Sequence, residues 1–408
     1  MNILLSAYAC RPDMGTEPGG GWSWAKYLAE AGNDVWCFTA RYNRPFVEAY
    51  LQEHPEERLH MVYVAAPAWV EWLRQQHYQT FSYLHYWYWQ RAAYRHARRQ
   101  QAKVGFDVVH HVTYGSLQMG SHLGKLGLPF IFGPVGGGQS APRAFRPYLK
   151  RGWYVEQARN FFSNSILLNV YNTRATLRSA QLVLVTNDET HARARQLGAR
   201  HVKMALDSGL PPEFYPPSPP NRPPTDRLCL LWVGSMIPRK GVLLLIDMMA
   251  LLPDSVTLTL VGSGPQRSLI EARVAALQLG DRVTCVGRVP YERVKDYYAR
   301  HEVFVFSSLR DSFGTQLLEA MAYGLPVVTL DHQGARTFVP EQAGIKVPPT
   351  DVATTVAKFS EAVRYLLEHP AERAAMGERA YAFARQEQWP QKVATTMHEY
   401  ERFFRYSS

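Results

Sequence analysis

Between residues 211 and 224 the chain reads PPEFYPPSPPNRPP, eight prolines in one short run. Proline has a fixed φ and no amide hydrogen, so neither a helix interior nor a central strand passes through such a stretch. The run reads as a stiff extended connector. It divides the 408 residues into 1–210, a linker at 211–225 and 226–388, with a final segment at 389–408. A chain of this length favours two domains, or three small ones, over a single core.

The same pattern stands on both sides of the connector. The first 40 residues run ILLSAY, RPDMGTEPGGG, WSWAKYLAEAG, DVWCFT, which reads as strand, glycine loop, helix, strand. Further apolar runs, VVHHV at 108–112, PFIFG at 129–133 and LVLVT at 182–186, alternate with helix-length segments. After the prolines the alternation restarts with LCLLWVG, a helix from Val242, SVTLTLVGSG, RVTCVG, EVFVFSS, a helix over 315–323 and PVVTL. Both halves therefore predict α/β domains with buried parallel sheets. The segment 389–408, which ends in Phe403, Phe404 and Tyr406, has a helical pattern. It reads equally as a local packing helix and as a helix that returns to the first domain.

Hydrophobic residues at 46% and charged residues at 20% are those of a folded chain. Cys10, Cys37, Cys229 and Cys285 form no CxxC pair, so neither a zinc site nor a disulfide framework is expected. The opening MNILLSAYACR lacks the charged start and apolar length of a signal peptide, and no apolar stretch approaches the ~20 residues of a spanning helix. The expected location is the cytoplasm, with any membrane contact peripheral, on the inner face.

The segment LRDSFGTQLLEAMAYGLPVV at 309–328 carries the most chemistry. Asp311 and Glu319 flank Gly314, where the chain enters a helix. A carboxylate before a helix, the amides of its first turn and a second carboxylate two turns inside make a receptor for a nucleotide diphosphate. Taken alone, Asp311 reads equally as a helix cap. Upstream, VGSMIPRKG at 233–241 runs from a strand into a loop with Arg239 and Lys240. By itself that loop is a basic turn; facing the same cleft, its cations would neutralise a leaving diphosphate.

With these residues the sequence resembles family 4 of the retaining glycosyltransferases, which have the GT-B architecture of two facing Rossmann-like domains. The resemblance spans nearly the whole chain and is most specific over 231–330. The family's E-x7-E signature stands here as Asp311-x7-Glu319, inside FGxxxxEAMAxGxPVV. The resemblance implies that Asp311 contacts the donor sugar and Glu319 the ribose, with Ser312, Phe313, Gly314 and Thr315 between them at the diphosphate. The family's R-x4-K pair falls on Ser235 and Lys240, and the adjacent Arg239 is a candidate for the missing charge. CVGRVP at 285–290 matches the loop that recognises the base, which puts Gly287, Arg288 and Val289 beside it. VGSGP at 261–265 lacks the third glycine and the acidic partner of a dinucleotide fingerprint.

In the first domain, GTEPGGG at 15–21 matches the family loop over the donor phosphate, which implies roles for Gly20 and Gly21 there and for Glu17 at the acceptor or sugar. FDVVHHVTYGS at 106–116 matches the strand after which the family places a histidine facing the sugar. Of the adjacent pair, His111 is the expected catalytic one and His110 its core-facing partner. GPVGGGQ at 133–139 offers Gly137 and Gly138 to the acceptor side. No two aspartates stand two apart, so the DxD metal element of the other main glycosyltransferase architecture is absent, and neither a metal nor a cofactor is expected.

The net charge of +10 is uneven. Residues 1–210 hold 23 basic and 14 acidic side chains, and the remainder holds 22 and 21. Between Glu71 and Asp107 there is no acid, while Arg74, Arg91, Arg95, Arg98, Arg99 and Lys103 surround the aromatic YLHYWYWQ at 83–90. The stretch reads either as a core helix with a solvated basic face or as a contact with an anionic membrane that presents a lipid-linked acceptor. No nucleic-acid module is present. The expected function is transfer of a sugar from a UDP- or GDP-sugar to a glycan or lipid-linked saccharide. The alternatives are a sugar-nucleotide epimerase or hydrolase and a catalytically silent scaffold that binds the nucleotide sugar.

Overall fold

The computed structural model describes residues 1–150, 152–222 and 227–405. Tyr406 and positions 223–225 of the expected linker lie outside the described residues. The chain forms two compact units. One comprises Met1–Gly138, Phe161–Gly209 and the helix Trp389–Arg405; the other comprises Gln139–Asn160 and Leu210–Gln388.

The first unit is built on seven parallel strands: β1 (Asn2–Ser6), β2 (Asp34–Ala40), β3 (Leu59–Val64), β4 (Val108–His111), β5 (Phe130–Val135), β6 (Leu182–Val185) and β7 (Val202–Met204). Their order is β3-β2-β1-β4-β5-β6-β7, so the order reverses between β1 and β4, where Ser6 lies opposite His111. Alternate residues serve opposite faces. Ile3, Leu5, Val108 and Ile131 belong to one core, which also holds Trp389, Val393 and Tyr400 of the last helix. Leu4, Val109, Phe130 and Phe132 belong to the other, with Tyr86 and Trp89.

The second unit has six parallel strands: β8 (Leu228–Val233), β9 (Val256–Val261), β10 (Val283–Gly287), β11 (Val303–Phe306), β12 (Val327–Leu330) and β13 (Gly344–Val347). The order β10-β9-β8-β11-β12-β13 reverses between β8 and β11. Ligands of open parallel sheets sit beyond the carboxyl ends of the strands at such a reversal. Here those ends lead into residues 234–241 and 307–314.

Two local expectations change. Residues 139–160 stand before the boundary expected at 210, yet Phe145, Tyr148 and Leu149 are buried in the second unit's core with Leu228, Leu230 and Val242. Burial of these apolar side chains outweighs proximity in sequence. The proline run, over the residues described, is strapped to the second unit. Tyr215 Oη donates to the Ala384 carbonyl at 2.6 Å, and Arg222 Nη2 donates to the carbonyls of Tyr298 and Tyr323, each at 2.8 Å. Prolines cannot donate, so the side chains between them make the attachments.

The first helix also starts earlier than expected. It spans Thr16–Glu30, so Gly20 and Gly21 lie inside it rather than in a loop before it. Pro18 falls in the first turn, where a missing amide hydrogen costs nothing. The glycines there are not equivalent. A Cβ on Gly21 would meet the Ala9 carbonyl oxygen at 2.1 Å and Thr113 Cγ2 at 2.8 Å, whereas one on Gly20 meets nothing within 4 Å. Gly21→Ala is therefore expected to lower stability by about 2 kcal/mol or more, and Gly20→Ala to raise it by about 0.5 kcal/mol. Urea unfolding monitored by tryptophan fluorescence checks both; equal effects of the two substitutions would refute the packing argument.

Candidate functional site

The site at the β8/β11 reversal is assembled from two turns. After β8, Pro238–Lys240 forms a 3-10 turn that closes at Gly241 with φ +64°. A side chain at 241 would strike the Ser307 carbonyl oxygen, with its Cβ at 2.3 Å. That close approach lets the turn lie on the residues after β11. Leu309 N–H donates to the Arg239 carbonyl at 2.7 Å, Ser307 Oγ to the Lys240 carbonyl at 2.9 Å and Arg239 Nη1 to the Arg310 carbonyl at 3.0 Å.

These bonds bring three of the predicted charges together. Lys240 Nζ is ion-paired and hydrogen-bonded to Asp311 Oδ2, Arg239 Nη1 lies 3.6 Å from the same oxygen, and Ser308 Oγ donates to it at 3.2 Å. Burial pulls the Lys240 ammonium below its ordinary value, against the raising effect of Asp311. Burial alone would raise Asp311, but Lys240 and Arg239 outweigh it and hold the carboxyl below the usual range. Each group thus offsets part of the burial penalty on the charged form of the other. Ser235, where the resemblance leads one to expect arginine, is exposed and uncharged, while Arg239 reaches the carboxylate from four positions on.

Gly314 starts the helix Thr315–Ala322 with φ +98° and, being glycine, offers no side-chain cap. A Cβ at 314 would meet Phe306 Cζ at 2.5 Å, so only glycine lets the helix begin against β11. Phe313 is buried, and Ser312 Oγ accepts from Gln139 Nε2 at 3.4 Å. Glu319 is 5% exposed and accepts from Tyr291 Oη at 3.1 Å and from Tyr298 Oη at 2.7 Å. Burial raises its carboxyl, and the two phenols counteract this. Nearby, Gly262 N–H donates to the Gly287 carbonyl at 2.8 Å and Gly234 N–H to Val261 at 3.0 Å, so the ends of β8, β9 and β10 are laced together. Beyond Gly287, Arg288 is exposed and Val289 half-buried.

Several supports of this site have no local signature in the sequence. Gln333, at φ +53°, accepts the Asp311 N–H at 2.9 Å on Oε1 and donates from Nε2 to the Ser140 carbonyl at 2.9 Å. Glu156 takes Arg310 in a two-pronged pair, Nε to Oε2 at 2.8 Å and Nη2 to Oε1 at 3.0 Å. Segment 139–160 thus holds Arg310 directly and Asp311 through Gln333. The sequence separations, 154 and 193 residues, hide these contacts from any reading of spacing.

In the first unit, Glu17 Oε1 accepts the Gly115 N–H at 2.7 Å. Gly138 N–H donates to Thr190 Oγ1 at 3.0 Å, and Gly137, at φ +110°, has its carbonyl bonded by Gln118 Nε2 at 2.6 Å. These loops follow β4 and β5, at the carboxyl ends of the sheet. His111 is a different matter. It is fully buried, with Nδ1 2.9 Å from Ser6 Oγ and Nε2 3.3 Å from Tyr86 Oη, and burial together with His110 pushes its pKa down to about 3. His110 faces the opposite core, 2.6 Å from Tyr400 Oη and 2.7 Å from the Gly133 carbonyl, and burial lowers it to about 4. Both imidazoles sit within the sheet sandwich, so His111 packs the interior in this structure and presents no exposed face for a sugar.

Residues 218–383 match the family described as glycosyl transferases group 1. That group 1 segment, somewhat under half of the chain, contains Arg239, Lys240, Asp311 and Glu319. The D-rhamnosyltransferase WbpZ of Pseudomonas aeruginosa is 33% identical over 201 residues, which are 46% of this chain and 50% of that protein. A subunit of phosphatidylinositol N-acetylglucosaminyltransferase from Saccharomyces cerevisiae is 26% identical over 144 residues, 35% of this chain and 32% of that one. The chain thus spans a third to a half of the length of these curated relatives. A solved sucrose-phosphate synthase from Thermosynechococcus elongatus superposes with a TM-score of 0.66 and 21% identity over 99% of both chains. That likeness shows the fold, two Rossmann-like parallel-sheet domains of GT-B type.

The Glu156–Arg310 pair is largely shielded, with side chains 10% and 18% exposed. Glu156→Gln leaves a buried guanidinium without its counter-charge and is expected to destabilise the second unit by about 2 kcal/mol, while Glu156→Leu with Arg310→Met regains most of the loss. Urea midpoints for the two variants check this; a Glu156→Gln midpoint equal to wild type would refute it.

Proposed function

We propose that this chain is a retaining, metal-independent glycosyltransferase of family 4 that moves a sugar from a UDP- or GDP-sugar to a hydroxyl of a glycan or lipid-linked saccharide. The observation that carries the reading is the cluster of Lys240 and Arg239 on Asp311, one turn before the N-terminus of the helix Thr315–Ala322, at the sheet reversal of the segment that matches group 1. Cations beside a helix N-terminus favour a diphosphate and stabilise it as it departs.

In this mechanism the bond between the anomeric carbon and the diphosphate oxygen breaks while Lys240, Arg239 and the amides near Gly314 and Thr315 take up the developing charge. The acceptor hydroxyl attacks from the face the diphosphate leaves and passes its proton to the departing phosphate oxygen. The new glycosidic bond then keeps the anomeric configuration. Gly287, Arg288 and Val289 line the base, and Glu319 takes the ribose. In the first unit, Gly20, Gly21 and Glu17, with Gly137 and Gly138, serve the phosphate and acceptor sides.

Lys240→Ala is expected to lower kcat by about a hundredfold or more. A thermal-shift screen with UDP, GDP and ADP sets the donor to use in that assay, since a ligand of the folded state raises the unfolding temperature. Turnover within a few-fold of wild type would remove Lys240 from the mechanism. An epimerised donor without a new glycoside would replace the reading with an epimerase, and donor binding without turnover across a broad acceptor panel would replace it with a silent scaffold.

For the acceptor side we propose peripheral contact with an anionic membrane on the cytoplasmic face. Much of the aromatic run at 83–90 is core, since His85, Tyr86, Trp89 and Gln90 are buried. What supports the contact is the neighbouring helix Ala68–Gln76, where Trp69 and Trp72 are 52% and 59% exposed, together with the exposed Arg95, Arg98, Arg99 and Lys103. No helix among the described residues is long and apolar enough to cross a membrane. Flotation with vesicles containing anionic lipid is expected to recover the protein at low salt, less of it at high salt, and less again after Trp69→Ala with Trp72→Ala. Absence of salt-sensitive binding would sink the proposal.

A further inference from the structure

The two phenols on Glu319 differ in one physical respect. Tyr298 is wholly buried, its ring 5.9 Å from that of Tyr323 and 6.0 Å from that of Phe304, so its hydroxyl has no exit. Tyr291 opens the same helix, Tyr291–Arg300, and is 49% exposed, with its ring 6.2 Å from that of Phe214. A side-chain rotation carries its hydroxyl into water, where the lost bond is replaced. Glu319 itself is almost fully enclosed. Of the two hydroxyls on it, that of Tyr291 is the one that can withdraw and uncover an oxygen.

Two hydroxyl donors on the two oxygens of one carboxylate form the pattern a vicinal ribose diol would make. We propose that Tyr291 is a specificity-determining residue of the donor site: in the free protein its hydroxyl occupies Glu319 Oε1 in place of a ribose hydroxyl, and a ribonucleotide must displace it to bind. The inference rests on the reading of 311–319 as the nucleotide segment. Binding of a ribonucleotide then exchanges one hydroxyl for another on Oε1, so the ribose contact adds less affinity than a bare carboxylate would give. A nucleotide without the ribose hydroxyls leaves Tyr291 where it is. Tyr291 therefore weakens ribonucleotide binding and narrows the discrimination between ribose and deoxyribose.

The test uses the full chain and titration calorimetry. UDP, GDP and ADP are titrated first, and the tightest binder is then compared with its 2′,3′-dideoxy form on wild type, Tyr291→Phe and Glu319→Gln. Phenylalanine keeps the ring on Phe214 and removes only the hydroxyl. Tyr291→Phe is expected to lower the Kd of the ribonucleotide by about three- to tenfold without tightening the dideoxy form, so the ratio between them widens. An unchanged ratio in Tyr291→Phe overturns the inference, while the nucleotide reading stands if wild type binds and Glu319→Gln brings the ratio toward one. If no diphosphate binds wild type, or if Glu319→Gln leaves the ratio as it was, the nucleotide reading falls and the inference falls with it.

Discussion

The stitch between the turn at 238–241 and the residues after β11 is the contact on which the rest of the second unit's site depends. Its main-chain bond, Leu309 N–H to the Arg239 carbonyl at 2.7 Å, exists because Gly241 has no side chain to hold the Ser307 carbonyl away. Only with the two backbones this close can Lys240 reach Asp311. The strands beneath fix where the stitch forms, since β8 and β11 are parallel neighbours and the segments that follow them start side by side. Position thus comes from sheet order, proximity from glycine, and charge from the side chains last of all.

A second layer keeps that arrangement from relaxing. Asp311 is held at its side chain by cations and at its N–H by Gln333, and Arg310 beside it is held by Glu156. The residues that do this come from opposite ends of the unit's sequence. Segment 139–160 is joined to the second unit by Phe145, Tyr148 and Leu149 in its core, so a polar support rests on an apolar anchor. A charged residue fixed on both sides loses little rotational freedom when a ligand arrives, which is the physical meaning of a prearranged site.

Much of this was legible in the sequence, and the reasons for success and failure are physical. Runs such as VFVF and PVVTL read correctly as buried strands because a parallel sheet covered on both faces leaves little room for polar residues. Gly314 was visible because it stands where the chain enters a helix, whereas the need for glycine at 241 appears only when the Ser307 carbonyl is brought beside it. The start of the first helix differs from the expectation because Gly20 and Gly21 look like loop residues, whereas both lie in the helix and Gly21 is small to pack against Ala9 and Thr113. His111 and His110 are both enclosed because β4 is covered on both faces, which the alternation of side chains alone does not reveal. Glu156, Gln333 and Tyr291 carry no signal along the chain, because their partners are distant in sequence and only folding brings them together.

Ser235 and Asp311, the two positions at which the chain differs from the motifs it resembles, become intelligible once charges are counted at the folded site. Arg310 and Arg159 share the carboxylate of Glu156, and Lys240 and Arg239 share that of Asp311. Positive charge is therefore in surplus beside the helix N-terminus, although Ser235 contributes none. A shorter acid at 311 suits this balance. Aspartate keeps its carboxylate close to its own backbone, within reach of Ser308 Oγ and of both cations, where one more methylene would carry it outward. Arg239 stands on the same stitched turn as Lys240, so both charges are carried by one element. An anion arriving there meets a fixed surplus rather than a flexible pair of side chains, and the field it experiences follows from three residues whose geometry the Gly241 contact dictates.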